Sequence, residues 1–151
     1  VFWPYFRLAE IYLDYAEACN EKPERNETEA LKYINLVRER SGLNALETAY
    51  PEVKGNKDLL RMLIQKERMV ELAFEGHRYY DARRWMIAAD NEMGKGVLNI
   101  PLRGLEILNR GGVPSYRPIE IEKRNFEPKM YLYPIPQGDL DIAGWSQNPL
   151  W

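Results

Sequence analysis

The chain has almost no cysteine and almost no histidine, with a single residue of each, Cys19 and His77. One thiol excludes an internal disulfide framework, and one thiol beside one imidazole excludes a Cys/His cluster at metal-ligand spacing. An excess of charge of one sign is also missing. Lys and Arg number 21 against 23 Asp and Glu, a formal charge of -2, and no stretch holds the basic block that a phosphate backbone requires, which sets nucleic acid aside as a partner. No run approaches the ~20 apolar residues of a spanning helix. The opening Val-Phe-Trp-Pro-Tyr-Phe-Arg lacks the charged and apolar parts of an export signal, so any signal or anchor is expected upstream of a chain that begins without Met. Catalytic signatures are missing too: there is no G-x-S-x-G, no phosphate-cradling glycine loop opening a helix and no zinc motif, and Gly94-Lys-Gly96 reads as a plain loop. No cofactor and no metal are expected.

What is present is enough for one core. A chain of 151 residues, 45% hydrophobic and 29% charged, is in the range of a single domain. It is expected to be one domain over 1–151, helical over 5–90, with a wrapping coil over 91–151. From Tyr5 to Asn20, residues Leu8, Ile11, Tyr12, Tyr15, Ala16 and Cys19 follow helical spacing opposite a polar stripe of Arg7, Glu10, Asp14 and Glu17. Ala9 and Leu13 widen the apolar surface, which predicts packing on more than one side. Pro23 ends that helix, and Asn26 with Glu29 three residues on predicts a capping box. The second helix shows Ala30, Leu31, Ile34 and Val37 on one face and stops at Gly42, with Leu43 placed for a Schellman closure. Asn44 to Lys57 has loop composition. Asp58 to about Ala89 forms the longest helical pattern, interrupted by Gly76, where a kink or a close helix approach is expected.

Beyond Asp90, scattered glycine and proline exclude long regular elements. The alternation in Pro118-Ile-Glu-Ile-Glu122, after Asn109-Arg-Gly-Gly112, permits one small hairpin pairing with residues near 97–102. Tyr131 to Pro136 is expected to be extended and to lie on the helices through Tyr131, Leu132, Tyr133 and Ile135. Tyr116, Phe126, Trp145 and Trp151 supply apolar area that argues against disorder.

The segment Glu67 to Trp85 is the densest in chemistry. Leu63, Glu67, Val70 and Phe74 share a helical face with Glu71 beside Phe74, so a carboxylate there is flanked by apolar groups and needs a partner. Arg68, Arg78, Arg83 and Arg84 are the cations at hand, and Glu75 and Asp81 complete a structural ion-pair network of carboxylates and guanidiniums. Two other readings are a glycosidase carboxylate pair and a carboxylate metal site. Against the second, His77 follows Glu75 by two positions and lies out of ligand register. Cys19 sits on an apolar helical face and reads as core. Among ten Tyr and four Trp, those at helical spacing read as core, which leaves Tyr116 and Trp145 as candidate rings for stacking a ligand.

Several segments resemble one family in order. Arg7-Leu-Ala-Glu-Ile-Tyr-Leu-Asp-Tyr-Ala-Glu-Ala18 is similar to a helix of SusD/RagB proteins, and Ala30 to Leu43 is similar to the helix that follows it. Glu67-Arg68, Glu71-Leu72, Phe74 to Arg78 and Asp81-x-Arg-Arg-Trp85 resemble its charged signature, with Ala82 replacing the usual Leu. Lys129 to Pro136 and Gln147 to Trp151 resemble its closing segment, with Leu150 where Gly is common. Asn44 to Lys57 and Asn91 to Phe126 stay unmatched. The resemblance implies an all-α fold of tetratricopeptide-like helix pairs, with an irregular proline-rich C-terminal segment and at most one small β-hairpin. It also implies the C-terminal part of a lipid-anchored outer-membrane protein facing the cell exterior, which binds an oligosaccharide or other nutrient without catalysis. A SusC-like TonB-dependent transporter is the implied partner. It transfers no ligand site. A helical-repeat adaptor for protein partners is the alternative, and a carboxylate-dependent glycoside hydrolase stands behind it.

Overall fold

The computed structural model describes residues 5–91 and 94–151. They form two compact units, residues 1–78 and 79–151. The fold is mainly helical with one two-stranded antiparallel sheet.

In the first unit, α1 (Leu8–Glu21) packs against both α2 (Glu27–Arg40) and α4 (Lys57–Glu71). Its buried face is Ala9, Leu13, Ala16, Cys19 and Asn20, whereas Leu8, Ile11 and Tyr15 are exposed. The buried face is thus rotated from the expected one, because the helix is apolar on most of its circumference and its neighbours select which residues are covered. Packing on more than one side is nevertheless seen. Asn26 caps α2 by accepting from the Glu29 N–H at 3.1 Å. The reciprocal half of a capping box is not made, since the Asn26 N–H donates to the Cys19 carbonyl at 2.9 Å. At the other end Leu43 N–H reaches the Arg38 carbonyl and Gly42 N–H the Glu39 carbonyl, both at 2.9 Å, with Gly42 at φ 72. That is the predicted Schellman closure.

Residues 44–57 are more than a loop. They contain α3 (Leu46–Ala49) and a 3₁₀ turn at Pro51–Val53, and both Leu46 and Val53 are fully buried in the first core. Proline opens the turn where its missing N–H costs nothing, so composition concealed the short helices. Asn56 caps α4 through the Leu59 N–H at 3.0 Å, and Leu60, Leu63, Ile64 and Arg68 are its buried residues.

The expected continuous helix from Asp58 to Ala89 does not form. It stops at Glu71, passes through a turn with Phe74 at φ 65 and Gly76 at φ 83, and resumes as α5 (His77–Arg84). Two left-handed residues so close together end the helix, where a kink or a close helix approach was expected. Phe74 is fully exposed and Val70 largely so, so they do not shield Glu67 and Glu71 as a continuous helix would have it.

The second unit closes on Ala82, Ala88, Ala89 and Phe126, with Ile87, Val97, Leu98, Met130 and Tyr131 packed around them. Strand β1 (Leu102–Arg110) pairs with β2 (Val113–Glu122), joined at Gly111 and Gly112 with φ 65 and 83. The two glycines supply the left-handed pair that a tight hairpin turn demands. The hairpin was expected, but its partner strand is 102–110 and not 97–102. Its nine- and ten-residue strands also overturn the exclusion of long elements from the tail. The prolines of β2 sit where no inward N–H is needed, so composition was a poor guide. Tyr131 belongs to a 3₁₀ turn at Pro128–Tyr131, and α6 (Gln137–Ala143), which periodicity did not suggest, ends at Gly144 with φ 65. Leu132 and Tyr133 are more than half exposed, but Tyr133 still makes the expected contact with a helix, its hydroxyl 3.1 Å from that of Tyr79 and its ring 4.7 Å from the Arg83 guanidinium of α5.

Candidate functional site

In the first unit, α4 directs Glu67 and Glu71 towards guanidiniums carried by α2 and by the residue preceding α1. Arg38 Nη1 donates to Glu67 Oε1, and Arg38 Nε to the Asn44 carbonyl at 2.8 Å. Arg40 Nη2 reaches both oxygens of Glu71 at 2.7 and 2.8 Å, and Arg7 Nη1 also donates to Glu71. Arg7 Nε and Nη2 hold Glu75 at 2.9 and 2.7 Å. Arg68 lies one position past Glu67, about 100° round the helix, and donates to Asp14 of α1 instead. The cations for Glu67, Glu71 and Glu75 therefore come from Arg7, Arg38 and Arg40. Arg78 is half-buried.

The side chains of Glu67 and Glu71 are 16% and 11% exposed. The hydrogen bond from Arg7, followed by its charge, holds the Glu75 carboxyl below the usual range, and the bonds that Arg7 donates to Glu75 and then to Glu71 raise Arg7. A general acid for hydrolysis needs a raised carboxyl, and guanidinium contacts push the other way. A groove of about 280 Å³ runs beside this rack, lined chiefly by Arg7, Leu8, Tyr12, Leu36 and Arg40. Among the described residues, no group of three or more His, Cys, Asp or Glu is placed to hold a metal ion.

In the second unit the charged residues of α5 serve other ends. Arg84 Nε pairs with the buried Asp81 at 3.1 Å. Arg83 is the hub of an aromatic cleft: its Nη1 donates to the Met130 carbonyl at 2.6 Å and to Tyr79 Oη at 2.9 Å, and Nη2 donates to the Tyr131 carbonyl. Rings surround the same guanidinium, with Tyr133 at 4.7 Å, Tyr79 at 5.2 Å and Phe126 at 5.8 Å from its carbon. Such cation–π contacts fix ring orientation as well as adding energy. The Tyr79 and Tyr133 hydroxyls lie 3.1 Å apart, and that bond, with burial, raises the Tyr133 hydroxyl. Trp151 Nε1 donates to the Lys129 and Leu132 carbonyls at 3.0 and 3.1 Å.

The resulting cleft holds about 230 Å³. Tyr133 remains 65% exposed despite being pinned on one side. Fixed aromatic faces, two phenol hydroxyls and a guanidinium in one hollow match the chemistry of a sugar ring, which offers apolar C–H faces and a rim of hydroxyls. A second hollow of about 480 Å³ adjoins Arg83, Met86, Lys129 and Leu150.

Tyr116 and Trp145 do not line this cleft. Tyr116 lies mid-strand in β2 opposite Ile107, Trp145 follows α6, and both rings are largely exposed. Tyr79, Tyr133 and Trp151 went unselected because helical spacing and an adjoining proline made them read as packing residues. The one sequence signal for them is the clustering of aromatic residues around Pro134 and at the chain end.

Comparison with known proteins adds a family. The model of the SusD family matches residues 2–151. SusD-like protein P25 of Formosa agariphila is 45% identical over 86 residues, covering 56% of this chain and 15% of that protein. SusD-like protein P2 of the same organism is 40% identical over 80 residues, covering 52% of this chain and 16% of its own length. The chain therefore matches only a small part of these relatives. No solved structure matches it.

Proposed function

Because the chain belongs to the SusD family, we propose that it works in a non-catalytic nutrient-binding component of an outer-membrane uptake system, with a glycan as ligand and a SusC-like TonB-dependent transporter as partner. The protein would be lipid-anchored and face the cell exterior. The family match over residues 2–151 carries this reading. Two features of the site support it. Glu67, Glu71 and Glu75 are each taken up by arginine, which suits bracing better than bond cleavage. The cleft around Arg83 offers rings and hydroxyls for a sugar, and Tyr116 and Trp145 offer further single exposed rings.

Calorimetry of the full-length protein against a panel of oligosaccharides tests the ligand class, with saturable binding expected for at least one. Tyr133→Ala is expected to weaken that binding by about tenfold, equivalent to about 1.4 kcal/mol. Absence of saturable binding to every oligosaccharide would refute a glycan ligand, and unchanged affinity in Tyr133→Ala would move the site away from this cleft. A helical-repeat adaptor is favoured by one observation, the exposed Leu8, Ile11 and Tyr15 on α1. Capture of the transporter by a protein with no sugar affinity would select that reading.

A further inference from the structure

The two edges of the hairpin are unlike. Residues of an antiparallel pair alternate between those that exchange hydrogen bonds and those whose N–H and C=O point outward. Pro114 and Pro118 oppose Asn109 and Leu105, and proline has no N–H to exchange, so these pairs belong to the outward class. By the register, Arg103↔Glu120 and Ile107↔Tyr116 belong to it as well. The outer edge of β2 therefore lacks two donors, which is how natural sheets block unwanted strand addition. The outer edge of β1 contains no proline. It presents the complete N–H and C=O sets of Arg103, Leu105, Ile107 and Asn109, and among the described residues no other strand lies along it.

We infer that a second copy of this chain adds to this open edge, β1 against β1 in antiparallel sense across a two-fold axis, giving a four-stranded sheet in the order β2-β1-β1-β2. A free ladder of backbone donors and acceptors is satisfied by another strand, and the side chains of β1 complement their own reverse. Centring the axis on Glu106 engages all four outward residues at once. Leu105 then faces Ile107 of the other copy, extending the row formed with Pro118 and Tyr116, and Arg103 faces Asn109. On the opposite face, Leu108 meets Gly104 of the other copy, over which the Ile121 side chain of that copy lies and offers an apolar contact. The one like-charge pair, Glu106 on Glu106, is relieved within each copy by Arg117 Nη2 at 2.7 Å. A lone two-stranded ribbon is marginal in water, and all of β2 and most of the described residues of β1 are exposed, with Ile107 at 63% and Leu105 at 59%. The dimer supplies the strands that such a ribbon needs.

Sedimentation equilibrium of the full-length protein should give twice the mass of one copy. Ile107→Pro removes an outward donor from β1 without touching its bonds to β2, and should return the mass to one copy. Tyr116→Pro does the same to β2 and should leave the dimer intact. Glu106→Cys places two thiols at an opposed pair with Cα atoms about 4.5 Å apart, within disulfide reach. Mild oxidation should then join the copies through residue 106, since Cys19 is buried. A native chain that stays at one copy at every concentration overturns the inference, as does a folded Ile107→Pro that still dimerises. If Ile107→Pro fails to fold, the Glu106→Cys cross-link decides: its formation upholds the edge and register, and a dimer without it refutes them.

Discussion

Replacing Glu67 by Ala removes the carboxylate that faces Arg38. The two side chains are 16% and 9% exposed, so the stranded guanidinium keeps little water and retains one acceptor, the Asn44 carbonyl at 2.8 Å. Breaking a buried pair by removing one partner costs about 3–5 kcal/mol. The surviving carbonyl and the partial opening at Glu67 place the loss at the low end, about 3 kcal/mol. For a chain of this size that corresponds to a fall in melting temperature of about 6–12 °C. Urea unfolding followed by far-ultraviolet circular dichroism reads the helical unit directly. Glu67→Gln keeps an uncharged acceptor and should lose about half as much. The double variant Arg38→Met with Glu67→Leu leaves no charge unpaired and should recover most of the stability. A Glu67→Ala protein within about 0.5 kcal/mol of the native one would show that the pair is open to solvent and braces nothing.

Acidification tests the arginine-held carboxylates. Glu21, held first by its hydrogen bonds from Arg61, and Glu75, held first by those from Arg7, both sit below the ordinary range. Their stabilisation is complete above the unfolded value of about 4.3 and is lost as pH falls through the depressed folded values. The urea midpoint should therefore be level near neutrality and decline below about pH 4, and a rise on acidification would contradict the pairing. Gly96→Ala should destabilise the second unit by about 3 kcal/mol, because its Cβ would lie 2.2 Å from the Ala88 carbonyl oxygen and the Ala89 backbone. Gly138→Ala, with open space around it, should be near neutral by the same melting assay. Tyr131→Phe strips the acceptor of the Ala88 and Ala89 amides, now at 2.9 and 3.0 Å. It should cost about 2 kcal/mol, seen as faster hydrogen exchange at those two amides.

Local chemistry made α2 readable almost to the residue, since the Asn26 cap and the Gly42-Leu43 closure depend on neighbours within a few positions. α1 was readable as a helix but not as a face, because a helix apolar on most sides leaves the choice to its partners. Leu46 and Val53 were hidden by loop-like composition, and Phe74 by a pattern that ran on through a backbone break. The hairpin was legible from its paired glycines, while its partner strand was obscured by β2 prolines that are tolerated only on an outward edge. The carboxylates at 67, 71 and 75 stood out at once. Their partners did not, because Arg38 lies 29 residues from Glu67 and Arg7 lies 64 from Glu71, a pairing set by packing of helices and not by spacing within one. The cleft was least visible, since its rings come from three separated segments.

Arg83 and the Tyr131 hydroxyl together impose an order on biosynthesis. The amides of Ala88 and Ala89 and the guanidinium of Arg83 find their acceptors at residues 130 and 131, 42 to 48 positions later. While that stretch is still inside the ribosome, the segment after α5 has these polar groups bare and lacks Met130 and Tyr131 from its apolar lining. The second unit therefore condenses only after Tyr131 has left the ribosome, and a chain truncated before Tyr131 would present an unclosed surface to chaperones and proteases.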